Sequence, residues 1–279
     1  MFDVDPESLE ECRITVVAIG SFGNSVLNWL RQNPQTAQYL SADEDYDDAA
    51  AKVVNSDLVF IVTGLEDARV ASMAVEIATL AKTAESLVVA VTEHAALTDN
   101  GSRLEALQNL VDSLIPLSSD NLVPLNELPE SSISEKAIAT YIACQFIREI
   151  SRTITERGII GIDFADVKTI LGGGGKRGYI GIGMANGENR GAVAAEKSLQ
   201  AIEKQLELSE FSGILATITG STCTKMEDYN DAVKVLHERV SDEVKIMVSI
   251  MVDEAFGENV RVMVVGKEYN SSSSSSSKI

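Results

Sequence analysis

Three short apolar runs alternate with helical patterns in the first 120 residues, and this alternation leaves few folds open. They are residues 14–19 (ITVVAI), ending at Gly20, residues 58–62 (LVFIV), followed by Thr63-Gly64, and residues 87–91 (LVVAV). Strands apolar on both faces belong to a parallel sheet covered by helices on both sides. Between them, Gly20-Ser21-Phe22-Gly23-Asn24 opens a helix through Val26, Leu27, Trp29 and Leu30, and Asn33-Pro34 closes it. Residues 67–82 and 103–112 read as further helices and residues 113–117 as a short strand. The stretch holding Asp43, Glu44, Asp45, Asp47 and Asp48 reads as a solvated loop. The pattern predicts a doubly wound α/β unit.

Residues 134–157 form one long helical pattern with Ile138, Ile142, Phe146, Ile147, Ile150 and Ile154 on several faces, so it is expected to lie buried between layers. Gly158 is a plausible terminator. Strands are then expected at 179–184, 213–219, 244–252 and 260–266, the last two as a pair, with helices at 190–205 and 228–241. The expected organisation is a flexible arm at 1–12 and a nucleotide-binding-type domain at 13–133. The central helix follows at 134–157, a second α/β domain with a mixed sheet at 158–268, and a disordered serine-rich tail at 269–279.

The formal charge of −19, from 42 acidic against 23 basic residues, argues against nucleic acid or an anionic membrane surface as a direct partner. No apolar run is long enough to insert into a bilayer. The acidic start is unlike a signal peptide. Cys12, Cys144 and Cys223 lie far apart, and only His94 and His237 accompany them, so no metal site is expected. Sparse, odd cysteines fit a reducing cytoplasm.

The run GIIGIDFADVKTIL, residues 158–171, directly after a long helix, resembles the synergy loop of FtsZ. GIGMANGENRGAVAAEKSL, GILATITGSTCTKMEDY and ENVRVMVVG follow in the order of the FtsZ C-terminal domain, and DLVFIVTG and LVDSLIPLSSDNLVPL resemble segments upstream. The chain is thus similar to the tubulin/FtsZ superfamily of filament-forming GTPases over roughly residues 12–268. The resemblance implies that Asp163 and Asp166 stand where that family places the acids that reach the next subunit's nucleotide. It also implies that Gly20, Gly23, Asn24 and Gly64 are remnants of its phosphate loops. Asp163 also sits where a helix N-cap belongs, with Asp166 three residues on, and capping alone accounts for both.

The departures from the family pattern bear on function. A phosphate needs several bare backbone N–H groups within reach. Ser21 and Phe22 replace glycine in the first loop, and the segment after Gly64 reads Leu65-Glu66-Asp67-Ala68-Arg69, with two carboxylates and no glycine. Arg69 is placed to offset one of them. Thr140 and Tyr141 occupy the positions of base recognition, and Lys136 that of the stacking aromatic. The resemblance therefore implies an FtsZ-like cytoskeletal or cell-division protein in the cytoplasm that has lost GTPase activity. It would bind no cofactor, and GTP or GDP only if the site still works. Its partners would be copies of itself or FtsZ-type filaments, with no nucleic acid and no membrane insertion. A divergent active GTPase is the alternative. A dinucleotide enzyme is a weaker third, because Gly20-x-x-Gly23 with Asp43 beyond it is not the G-x-G-x-x-G pattern.

Gly172–Gly175 lies between a helix and a strand, the wrong order for a phosphate loop, and reads as a connection. Trp29 is expected in the core. Gly220-Ser221-Thr222 is expected as a turn, and Arg190 on the surface.

Overall fold

A computed structural model describes residues 12–34, 36–93, 101–117 and 134–269. The expected arm and tail, apart from Cys12 and Tyr269, and His94 lie outside these residues. The chain forms β1 (Ile14–Ile19), α1 (Gly20–Gln32), β2 (Gln38–Ser41), α2 (Tyr46–Val53), β3 (Leu58–Thr63), α3 (Ala68–Thr83), β4 (Leu87–Glu93), α4 (Gly101–Gln108) and β5 (Ser113–Leu117). The long helix α5 (Glu135–Thr155) follows, then α6 (Phe164–Leu171), β6 (Lys176–Ala185), α7 (Arg190–Glu203), β7 (Phe211–Gly220), α8 (Met226–Arg239), β8 (Lys245–Val252) and β9 (Val260–Glu268).

Nine strands make one sheet in the order β2-β1-β3-β4-β5-β6-β9-β7-β8. All neighbours are parallel except β9, which runs antiparallel to both β6 and β7. The mixed α/β architecture matches the sequence expectation. The last two expected strands are both present, but they are not neighbours in the sheet: β9 inserts between β6 and β7, and β8 lies outside at the edge. The segment 43–48 is also more ordered than expected. Asp45 accepts from the Asp48 N–H and caps α2, and β2 precedes it. An acid-rich stretch carries both solvated charge and capping groups, and composition does not separate the two.

Strands β1, β3, β4 and β5 are buried on both faces, and β2 is a partly exposed edge strand. Their residues Val17, Val59, Ile61, Val88 and Ala90 pack under α2, α3 and α4. On the opposite face Val16, Phe60, Val62, Val89 and Val91 pack against α1 and α5, and this core continues to Ile180, Leu215, Met263 and Val265 of the later strands. Helix α5 is therefore buried on the sides that its sequence predicts, shared between the two parts of the sheet. The remaining face of the later strands is closed by α7 and α8 through Ala194, Leu199, Tyr229 and Leu236. Helix α7 sits close to β6: a Cβ on Gly181 or Gly183 would lie 2.1 Å from the carbonyl oxygen of Ser198 or Ala194.

Arg190 is 8% exposed, contrary to the surface placement expected for it. Its guanidinium donates to Asp228 and to the carbonyls of Cys223 and Glu258, joining the starts of α7 and α8. Buried Lys267 donates to the Gly172 carbonyl at the end of α6, where a cation suits the helix dipole. Gly173, Gly174 and Gly175, all at positive φ, then carry the chain into β6, as the connection reading expects.

Candidate functional site

The strand order 2-1-3-4-5 reverses direction between β1 and β3, and the crevice at the carboxyl ends of those strands is where ligands bind in such sheets. Four of the predicted residues meet there. Gly20, at φ +78°, turns the chain from β1 directly into α1. Gly23 faces β3 so closely that a Cβ would sit 2.3 Å from the Val62 carbonyl oxygen, so its glycine is required by helix-on-sheet packing. Asn24 is half-buried and fully engaged: its amide nitrogen donates to Asp43 at 2.9 Å and its oxygen accepts from Ser41 at 2.8 Å. Gly64 ends β3, and a Cβ there would lie 2.7 Å from a Glu93 carboxylate oxygen and 3.1 Å from Glu66.

The floor of this crevice is lined by the protein's own acids. The Gly20 N–H donates to Asp43 at 2.7 Å and the Ser21 N–H to Glu66 at 2.5 Å. Lys136, at the start of α5, donates to the Ser21 hydroxyl at 2.9 Å. Burial pushes the Glu93 carboxyl above its ordinary range, the Lys136 ammonium pulls it back, and the Glu66 charge adds to the rise. Arg69 pairs with Asp43 at 3.7 Å. Asp67 points elsewhere, capping α3 by accepting from the Val70 N–H.

Sequence reasoning placed Glu66 here, named Asp43 only as the acid of the dinucleotide alternative, missed Glu93, and read Lys136 only as a missing aromatic. Asp43 makes its contacts 19 and 23 residues away along the chain. No local pattern marks such a contact.

Asp163 and Asp166 do not join this crevice within one molecule. Helix α5 starts beside Ser21 and its 21 residues separate the two sets by about 30 Å at 1.5 Å per residue. The Asp163 side chain accepts from the Asp166 N–H at 2.9 Å, and the Asp166 side chain accepts from the Asp163 N–H at 3.2 Å. This reciprocal capping box is the arrangement read from their spacing. Asp163→Ala is expected to cost about 0.5–2 kcal/mol of stability, measured by urea unfolding. Beside the box, Ile159 and Ile160 are exposed, and Ile160 pairs with Ile250 of edge strand β8.

The two N–H groups that a phosphate would use at the start of α1 are already bonded to carboxylates. An added phosphate charge about 4 Å from such a carboxylate meets a repulsion of about 4 kcal/mol near a protein surface. No group of three metal-ligating side chains able to hold a cation is present among the described residues. No helix among them is long and apolar enough to cross a membrane.

Residues 177–269 match the model of the FtsZ family, C-terminal domain. The chain is 29% identical over 275 residues to the cell division protein FtsZ of Azotobacter vinelandii, covering 94% of this chain and 68% of that protein. It is 30% identical over 243 residues to cell division protein FtsZ 2 of Pyrococcus furiosus, covering 81% of this chain and 59% of that one. Two M. jannaschii FtsZ structures share its fold, both at 22% identity and covering 92% of this chain. One is a point mutant with a TM-score of 0.79 over 91% of its own chain, and the other an empty dimer with 0.77 over 88%. Strand order, central helix, capped loop and C-terminal family match agree, and together they support an FtsZ-like chain with the fold of the tubulin/FtsZ superfamily.

Proposed function

We propose that this chain is a cytoplasmic, FtsZ-like cytoskeletal protein that self-assembles, or joins FtsZ-type filaments, without normal GTP hydrolysis. The observation that carries the reading is the pair of carboxylates, Asp43 and Glu66, bonded to the two N–H groups at the start of α1. A helix start favours an anion, and in FtsZ-like proteins the resemblance gives that role to the nucleotide; here side chains hold it. The loop after Gly64 retains no glycine to let a phosphate approach.

The opposite end favours a retained contact. The Asp163–Asp166 box and exposed Ile159 and Ile160 present an ordered surface where the family places its subunit contact. One of the similar FtsZ structures is a dimer described as empty, a precedent for association without ligand. Residues 13–133 and 158–268 are proposed as the two domains, joined by α5.

The test is calorimetric titration of the purified protein with GTP and GDP, paired with sedimentation and electron microscopy with and without GTP. The expected result is no saturable nucleotide heat and assembly, alone or with FtsZ, that is indifferent to GTP. Tight GTP binding with phosphate release would establish the divergent GTPase instead.

A further inference from the structure

Helix α1 has no cap of its own. Ile19 precedes it and makes no side-chain capping bond, and no acid stands in its first turn. Such a start leaves outward-pointing N–H donors at the positive end of the helix dipole, and an anionic acceptor satisfies them best. Two loops far away in sequence supply one each. Asp43, from the β2–α2 connection, takes the Gly20 N–H, and Glu66, from the β3–α3 connection, takes the Ser21 N–H.

The Glu66 loop is bent to do this. Leu65, buried, adopts φ +55°, a left-handed conformation that L residues other than Asn and Asp rarely enter. The Arg103 guanidinium lies 3.4 and 3.5 Å from the carbonyl oxygens of Leu65 and Glu66 and braces the bend from α4. The Thr63 hydroxyl accepts from the Leu65 N–H at 3.2 Å. A strained residue, braced on both sides, delivers a carboxylate to an uncapped helix start.

We infer that Asp43 and Glu66 are a built-in anion: they stand in for the phosphates of a ligand and hold the start of α1 in its bound arrangement when no ligand is present. This deepens the function proposed above and rests on it, since it states how the crevice is kept closed once nucleotide is given up. The same contact is autoinhibitory toward phosphate. While Glu66 is in place its charge repels an incoming phosphate and its oxygen occupies the donor. Once it is removed, the Ser21 N–H and the Lys136 ammonium are available together.

The probe is inorganic triphosphate, added to wild type, Glu66→Ala and Glu66→Gln at ionic strength matched with sodium chloride to remove general screening. Two readouts are used: the thermal midpoint and the fluorescence of Trp29, the sole tryptophan, which lies on α1 itself. Wild type is expected to show no saturable response. Glu66→Ala is expected to lose about 2–4 °C of midpoint, to recover it with millimolar triphosphate, and to show a saturable Trp29 change. Glu66→Gln keeps the side-chain volume and is expected to fold if the alanine variant does not. It should lose part of the midpoint and respond to triphosphate more than wild type.

If both variants keep the wild-type midpoint, or neither responds to triphosphate, the built-in anion is overturned while the functional reading stands. A wild-type chain that binds GTP and turns it over overturns the functional reading itself.

Discussion

Phe146→Ala is expected to destabilise the protein by about 3–5 kcal/mol, read as a lowered urea midpoint at unchanged slope. Phe146 lies in the middle of α5 and is fully buried, its ring 5.7 Å from that of Phe60 on β3 at an interplanar angle of 87°. That edge-to-face geometry adds about 0.5–1.5 kcal/mol to the loss of buried area. The cavity would open between α5 and the first part of the sheet, where Val62, Val89 and Ile142 belong to the same core. These are strand and helix residues with little freedom to collapse inward, which places the cost at the upper part of the range. A loss below about 1 kcal/mol would mean that α5 is not held to the sheet through this contact.

About one turn further along, α5 is held by charge. Glu149 is fully buried, and its carboxylate pairs with Arg261 of β9, accepts from the Thr219 hydroxyl of β7 at 2.9 Å, and lies 3.8 Å from Arg152. Arg261 is 2% exposed, bonds Gln145 of α5, and stacks over the Phe256 ring at 4.6 Å. Flanking Glu149 on the same helix, Arg148 and Arg152 both reach Asp253, and Arg152 also bonds the Val252 carbonyl at 3.2 Å.

Glu149→Ala leaves the Arg261 guanidinium buried without its counter-charge, and a loss of about 3–5 kcal/mol is expected. The double variant Glu149→Leu with Arg261→Met removes both charges and is expected to recover most of that loss, because the cost lies in the uncompensated charge. If the double variant is as unstable as the single one, side-chain packing rather than charge governs the joint. Helix α5 is thus fastened to one part of the sheet by an aromatic contact and to the other by an ion-pair network; because Phe146 and Glu149 are three residues apart on the helix, the two losses are expected to couple rather than add.

The two ends of the molecule differed in how far they could be read. Around Asp163 the signal was local: an acid, a three-residue spacing and a following apolar helix specify a capping box, and the structure contains it. At the other end Glu66 could be placed near the crevice by counting from Gly64, yet its bond to Ser21 spans 45 residues. Asp67, its neighbour, was expected to share that role and instead caps α3. Adjacent residues in a turn point in different directions, and only backbone dihedrals such as the positive φ of Leu65 decide which one faces inward. Arg190 follows the same logic: a charged residue at a helix start reads as surface until Asp228 and two carbonyls, 33 to 68 residues away, enclose it.

The sequence alone determined what depends on near neighbours: the apolar runs that become two-faced buried strands, the long helix apolar nearly all round, and the capped loop after it. Burial of a periodic face is the dominant gain in free energy, and its period is written in consecutive residues. Tertiary structure decided the rest, namely the insertion of β9 between β6 and β7, the burial of Arg190 and Glu149, and the carboxylates that close the start of α1. Each of these depends on directional bonds between groups far apart along the chain. Such bonds have no period, so they exist only once the fold has brought their partners together.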